Sequence, residues 1–305
     1  MMAEVSVIIP TFNRADLLRS AIESAISQTF TNTEIIVSDD NSTDHTLNVV
    51  ESFKDRRIKY VRNEGKKGPS ATRNLAILIS KGKYIAFLDD DDEWLSAKLK
   101  KQVDLLNNSS PDICGVYSNR LFVDKTSGNV LSDNPGTDQL RGNLLNQLII
   151  KSPIHTSTVV IKKWCLNKIG LFDETLFFME DWDLWVRLSL NWDFEYISLP
   201  LAKAYIHDYY SHLSHNLKEQ TKSRGKLLKR YKHLFKRNRK SWGELYICQG
   251  AEYCQLKQMM KGRINLIKGI MKYPLNKIGY FHLLSSVFGA SNYQRLRKLY
   301  KFCQI

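Results

Sequence analysis

Four consecutive aspartates, Asp89-Asp90-Asp91-Asp92, follow the apolar run Tyr84-Ile85-Ala86-Phe87-Leu88. Two carboxylates about 5 Å apart repel by roughly 3 kcal/mol at an effective dielectric near 20, so several crowded at a strand end call for a cation. A hard divalent ion, Mg²⁺ or Mn²⁺, held by one or two carboxylates and completed by phosphate oxygens and water, meets that need. A solvated acidic turn before a helix opened by Ser96 accounts for the same residues. A second acidic pair, Asp39-Asp40, opens the turn Asn41-Ser42-Thr43. A carboxylate there can accept from the N–H of a base, or it can cap a helix starting at Asp44. Phe12, in Pro10-Thr11-Phe12-Asn13-Arg14, has a face for a nucleobase and equally a side chain for packing. Met179-Glu180-Asp181-Trp182-Asp183 adds a third acidic group. On a helix starting there, Asp181, Leu184, Trp185 and Leu188 share one face, which sets Asp181 at the head of an apolar stripe. A partly buried carboxylate has a raised pKa and makes a better base towards a hydroxyl. Glu180 and Asp183 read instead as helix-start acids favoured by the macrodipole.

These groups need a scaffold that delivers them to one edge. The first 120 residues alternate between periods of two and 3.6, as βαβ units do. Strands are expected at 5–9, 34–38, 58–61 and 84–88. Helices follow at 17–26, where Leu17, Leu18, Ala21, Ile22, Ala25 and Ile26 form a stripe, at 44–53, and from a Ser70 cap to 80. The fold class is α/β, a doubly wound, mainly parallel, Rossmann-like sheet, in which ligands sit beyond the carboxyl ends of the strands. All three acidic segments then converge there or face it. From 113 to 212 the pattern is mixed, with short strands at 115–117, 158–161 and 194–197. Beyond 215 it is helical and basic.

At 305 residues, 43% hydrophobic and 25% charged, the chain can bury one large core and carry an appendage. Its N-terminal apolar run alternates like a strand and lacks a basic leader or cleavage site, so no signal peptide is expected. No run approaches the roughly 18 uninterrupted apolar residues of a spanning helix. Cys114, Cys165, Cys248, Cys254 and Cys303 are odd in number and lack CxxC spacing, which fits a reducing cytoplasm and argues against a disulfide framework. The net charge of +14 is concentrated at one end: residues 216–305 hold 21 Lys or Arg against 3 acids, and residues 1–215 hold 24 against 28.

The ordered set VSVIIPTFNR, EIIVSDDNSTD, GPSATRNLAI, YIAFLDDDDEW and GLFDETLFFMEDWDLWVRL resembles the family 2 glycosyltransferases of GT-A fold, over residues 4 to 212. The resemblance implies that Asp40 reads a uracil-type base edge in a pocket lined by Pro10, Phe12 and Asn13, and that Arg73 approaches the diphosphate. It makes Asp89-Asp90-Asp91 the DxD motif, with Asp90 on the nucleotide side, Asp89 and Asp91 on the metal, and Asp92 an additional acid. It makes Asp181 the catalytic base. The family's closing Tyr-Arg and His map onto Tyr205 and His207, with Tyr205 in the Arg position; His207 is then a further metal ligand, or a histidine satisfied in the core or by solvent.

By the same resemblance, residues 1–112 are the nucleotide-sugar half and 113–215 the acceptor half; charge and pattern, not the resemblance, make 216–305 a basic helical region. The implied activity is inverting transfer from a nucleoside-diphosphate sugar, UDP-linked, to a saccharide hydroxyl in surface-glycan synthesis, on a polyprenyl-diphosphate carrier. The implied cofactor is Mn²⁺ or Mg²⁺. The basic tail then holds the enzyme on the cytoplasmic face of a membrane, or packs on the catalytic domain, or joins a homodimer. Two rival classes exist. A sugar-phosphate nucleotidyltransferase would place a Gly-rich loop where Pro10-Thr11-Phe12-Asn13-Arg14 stands, and a nucleic-acid-binding protein would use the Lys/Arg cluster at 226–240.

Overall fold

A computed structural model describes residues 3–65, 67–133, 140–150, 152–206 and 216–302. The chain divides into two compact units, Met1–Thr175 with Glu180–Tyr210, and Leu176–Met179 with Ser211–Ile305.

The first unit opens with β1 (Val5–Thr11), α1 (Ala15–Ile26), β2 (Thr33–Asp39), α2 (Thr46–Ser52), β3 (Ile58–Arg62), α3 (Pro69–Ile79) and β4 (Tyr84–Phe87). β3, β2, β1 and β4 pair in that order, all parallel. β1 and β4 are buried almost throughout, because central parallel strands are covered on both faces; that is why they read as near-continuous apolar runs. Leu18, Ala21, Ile22 and Ala25 of α1 pack with Val5, Val7, Ile9, Ile35 and Val37 in the main core. Fully burying a side chain such as Leu18 or Ile22 contributes about 1.5–3 kcal/mol.

Two helix starts differ from expectation by local chemistry. α2 begins at Thr46, because Asp44 accepts from the Thr46 amide (3.1 Å) and hydroxyl, while its other oxygen takes the Ala15 amide (3.1 Å). One carboxylate thereby fixes the start of both α1 and α2. α3 begins at Pro69, before Ser70, since proline is preset for the first helical position. The preceding Gly68 has φ 117°, a backbone state that side chains disfavour.

The second half adds β5 (Asp92–Trp94), α4 (Lys98–Asn107), β6 (Ile113–Asp124), β7 (Val130–Asp133), α5 (Leu145–Ile150), a 3₁₀ turn (Thr156–Thr158), β8 (Val160–Lys162), α6 (Lys163–Ile169), α7 (Glu180–Ser189) and β9 (Asp193–Ile206). The sheet continues β4-β8-β6-β9-β5, with β7 on β6. β8 runs against both neighbours, so β6 and β9 point the same way as β1 to β4, and the sheet is mainly parallel as expected. β9 is far longer than the four residues anticipated, because it tracks β6 through register shifts at Ser118-Asn119-Arg120. Its far end captures Asp92-Glu93-Trp94 as a short antiparallel strand. The fourth aspartate is thereby drawn out of the loop into the sheet.

The second unit is helical, with α8 (Leu217–Arg230), α9 (Lys232–Phe235), α10 (Arg239–Gln255), α11 (Met259–Lys272), α12 (Lys277–Val287) and α13 (Gly289–Phe302). Here α10 and α11 meet along glycines. A Cβ added at Gly243 would lie 2.8 Å from the Gly269 carbonyl oxygen, and one at Gly250 would lie 2.9 Å from that of Gly262. Each pair recurs after seven residues, two helical turns, and so returns to one face. Ile247, Cys254, Leu266 and Tyr293 fill the small core beside this contact.

Candidate active site

β1, β2 and β4 end at a common edge. Pro10 pairs with Ser38 and Thr11 with Asp39, so the loops that follow lie side by side. Asn13 and Asn41 adopt φ 52° and 67°, left-handed conformations that asparagine tolerates better than most residues. The Asn13 amide donates to Ser42 Oγ (2.8 Å) and its Oδ1 accepts from the Thr43 amide (2.8 Å), clamping one loop on the other. Phe12 is left 44% exposed beside them. The two acids of β2 then divide their roles. Asp39 closes its own turn, accepting from the Ser42 amide and hydroxyl and from Tyr60. Asp40 accepts from Asn63 Nδ2 and from the Gly68 amide, each at 2.8 Å. That leaves it lone pairs for one further donor on each oxygen.

The four aspartates divide among three groups of partners, Asp90 and Asp91 sharing Arg14. Asp89 accepts from Arg73 Nη2 (2.8 Å); burial would raise its pKa, but the cationic surroundings, Arg73 first among them with Arg14 beyond, hold it below the usual value. Asp90 is buried and accepts from Thr11 Oγ1 (2.8 Å) and Arg14 Nη1 (3.0 Å). Burial, opposed by Arg14, pushes its carboxyl up to about 7. Asp91 accepts from the same Arg14 nitrogen at 3.1 Å. Asp92 accepts from Ser157 Oγ, and burial, together with Asp89 and Asp91, lifts its pKa well above the ordinary value.

Among the described residues, Asp89, Asp92 and His155 offer ligand atoms that all lie within 4.8 Å of one another. His155 Nδ1 is buried with no hydrogen-bond partner among those residues, 3.8 Å from Asp92 Oδ2. Burial, reinforced by Arg120, lowers its imidazole to about 4, so the ring is neutral and keeps a lone pair. Two carboxylates and a neutral imidazole form a donor set for a divalent cation. Of the ligands expected from sequence, Asp89 belongs to this group, Asp91 lies on Arg14, and His207 falls outside the described residues.

Arg73 joins this cluster to the Glu180-Asp181 segment at the start of α7. It is buried on α3 and donates to Asp89 and, from Nη1, to Glu180 Oε1 at 2.9 Å. Burial would lower its pKa, but the two acids raise it overall and the guanidinium stays charged. Asp181 accepts from the Trp182 amide (2.7 Å) and from Thr156 Oγ1 (3.3 Å), and burial raises its pKa. Leu184, Trp185 and Leu188 are buried along the face anticipated from their spacing. The remaining two acids of the segment do not act as simple helix-start charges. Asp183 is fully buried and accepts from Arg187 Nε (2.8 Å), whose guanidinium also donates to the Ile169, Gly170 and Leu171 carbonyls that end α6. Glu180 is half of the Arg73 bridge.

The 3₁₀ turn is the part that sequence reasoning missed. His155 contributes to the metal-ligand group, Thr156 donates to Asp181, and Ser157 donates to Asp92 while accepting from the Asp89 amide (3.1 Å). Behind it, Trp94 Nε1 holds the Ser157 carbonyl (2.7 Å) and Gln102 Nε2 the Thr158 carbonyl (2.8 Å). Gln102 in turn accepts from the fully buried Lys98 amine (2.7 Å). The available signal was a hydroxyl run, His155-Thr156-Ser157-Thr158, inside an otherwise apolar stretch. Outer partners of this kind change metal affinity about 10- to 100-fold. Ser157→Ala is therefore expected to raise the Mn²⁺ concentration for half-maximal activity by about that factor; an unchanged Mn²⁺ titration would leave Ser157 a purely structural hydroxyl.

The sequence profile of Glycosyl transferase family 2 matches residues 6–165. The chain is 33% identical over 210 residues to an uncharacterized glycosyltransferase of Rickettsia typhi, covering 67% of this chain and 64% of that protein. It is 41% identical over 124 residues to the UDP-Glc:alpha-D-GlcNAc-diphosphoundecaprenol beta-1,3-glucosyltransferase WfaP of Escherichia coli, covering 41% of this chain and 48% of that one. The chain thus spans less than two thirds of the length of either relative. Residues 1–349 of S. aureus TarS, solved in complex with UDP-GlcNAc, match with a TM-score of 0.66 at 21% identity, covering 98% of this chain and 91% of that one. At that identity the likeness speaks for the fold.

Proposed function

The chain belongs to glycosyl transferase family 2, and from that premise we propose that it transfers a sugar from a UDP-sugar to a hydroxyl of a lipid-linked saccharide, with inversion. The observation that carries this is the bridge by Arg73 of Asp89, at the end of β4, to Glu180, the neighbour of Asp181. It sets a charged diphosphate-side cluster against a raised-pKa carboxylate across one cleft edge. Asp40, anchored by Asn63 and Gly68, accepts the base N–H beside Phe12, Pro10 and Asn13. Arg73 and Arg14 offer fixed positive charge to the diphosphate, and Arg14 is held for that by Asp90 and Asp91. Asp181 takes the proton of the acceptor hydroxyl as its oxygen attacks the anomeric carbon on the face opposite the departing diphosphate. One displacement inverts the centre. A divalent cation, held by Asp89, Asp92 and His155 with Asp91 beside them, would supply further positive charge to the leaving group.

The acceptor is assigned from two supports, the diphosphoundecaprenol in the E. coli relative's name and the basic second unit. Among the described residues no helix is long and apolar enough to cross a membrane, so we place the enzyme peripherally, on the cytoplasmic face where nucleotide sugars are made. The full chain, offered a panel of nucleotide sugars with Mn²⁺, is expected to hydrolyse a UDP-sugar slowly without acceptor, to stop in excess chelator, and to resume when Mn²⁺ or Mg²⁺ is restored. No turnover across the panel would overturn the transferase assignment, and full turnover in chelator would remove the cation.

A further inference from the structure

A helix that packs on one face should be polar on the other. Two helices of the second unit break this rule. In α11 the buried residues are Gly262, Leu266 and Gly269. Opposite them, at spacings of four, three and four, stand Met260, Ile264, Ile267 and Met271, all exposed. In α12 the polarity is inverted: Gly279, Ser285 and Ser286 are buried, while Ile278, Tyr280, Leu284 and Val287 are exposed. Leu284 and Val287 are 65% and 63% exposed. Phe288 continues this apolar surface into an open groove of about 770 Å³, lined also by Asn292, Arg295, Leu296 and Leu299.

A contiguous set of large exposed apolar side chains marks a surface that meets a partner or a membrane. The charges identify which of the two. Lys261, Lys268 and Lys272 each directly follow a residue of the α11 stripe or its end, and Lys277 opens α12. Residues 216–305 carry 21 cations against 3 acids. Apolar side chains edged by lysine are the pattern of a helix lying in the plane of a bilayer interface, where the stems sink and the ammonium groups meet lipid phosphate.

We propose that the outer faces of α11 and α12 form the surface by which the chain docks on an anionic bilayer, with Ile264, Ile267, Leu284 and Val287 entering the interface. This rests on the peripheral placement given above and names the side chains responsible.

The test uses the full chain and vesicles of phosphatidylglycerol with phosphatidylethanolamine, against vesicles of phosphatidylcholine alone. Wild type is expected to co-sediment with the anionic vesicles, with the bound fraction falling as salt rises. The double variants Ile264→Glu/Ile267→Glu and Leu284→Glu/Val287→Glu should each weaken vesicle binding by about tenfold or more. The control Leu78→Glu/Ile79→Glu, the same change at exposed positions of α3, should bind like wild type. Donor hydrolysis in vesicle-free buffer should be the same in the wild type and both α11/α12 variants. Binding by those two variants equal to wild type overturns the proposal. So does a wild-type dimer in sedimentation velocity that both variants break while wild type ignores vesicles, since a second copy would then cover this face. Loss of vesicle binding in the variants, from a wild type that turns over no sugar donor, would leave the docking surface standing and bring down only the transferase assignment.

Discussion

Arg73→Leu is expected to lower kcat/KM for sugar transfer by roughly 10²- to 10³-fold, the usual loss when a preorganised electrostatic donor is removed. The same change should also destabilise the fold. Arg73 is almost fully buried and is shared between Asp89 and Glu180, 2.8 and 2.9 Å away. Breaking a buried pair by deleting one partner typically costs about 3–5 kcal/mol, because the remaining charge stays buried and unpaired. Here two acids lose their partner at once, although Glu180 can take up a proton, its pKa already raised by burial. Arg73→Lys separates the two effects. A lysine keeps the positive charge but cannot span both carboxylates with a rigid fork. Stability near wild type with transfer still down at least tenfold would identify the fork itself as the contribution to chemistry. Wild-type transfer by Arg73→Lys would show that any cation suffices there, and wild-type transfer by Arg73→Leu would remove the residue from the diphosphate site.

That bridge also shows what the sequence could and could not disclose. The parallel half-sheet was legible because β1, β2 and β4 are apolar runs with helical periodicity between them, and period is a local property. The place of Asp181 at the head of a buried stripe was legible for the same reason, since Leu184, Trp185 and Leu188 sit at helical spacing from it. The Arg73 to Glu180 contact links residues 107 positions apart, and nothing in local spacing encodes such a partner. Glu180 therefore read as an ordinary helix-start acid. Asp183 read the same way, and its true partner, Arg187, was one turn along the helix. The Arg187 to Asp183 spacing was visible, but the burial that turns a surface pair into a core pair was not. His155 was overlooked because a lone histidine carries no pattern; its neighbours Asp89 and Asp92 come from a different strand end. Asp92 itself was read as loop, and only the unexpected length of β9 pairs it into the sheet.

Asp181→Asn is expected to reduce transfer by about 10²- to 10⁴-fold, the range for removal of a positioned general base, without unfolding the protein. An asparagine is nearly isosteric and its Oδ1 can still accept from the Trp182 amide, so the start of α7 survives. Stability at neutral pH should not fall. Burial raises the Asp181 pKa in the folded chain, which means the fold binds this proton more tightly than the unfolded chain does. The ionised carboxylate is then a destabilising group, increasingly so as pH rises from the unfolded pKa and fully so above the folded one. Asparagine removes that penalty. The kinetics run the other way, because a base must be ionised to work. For wild type, kcat/KM should fall as pH drops through the raised Asp181 pKa, placing the acidic limb above the ordinary carboxylate range; in the asparagine variant that limb should disappear from whatever activity remains. Asp183→Asn is the matched control, since it alters the next acid along the helix and loosens the Arg187 contact. It should lower stability and leave the pH profile in place. If Asp181→Asn keeps near-normal transfer with its acidic limb intact, the proton must leave by another group. Glu180, the adjacent acid with a raised pKa, would be the next candidate, and Glu180→Gln would then carry the loss.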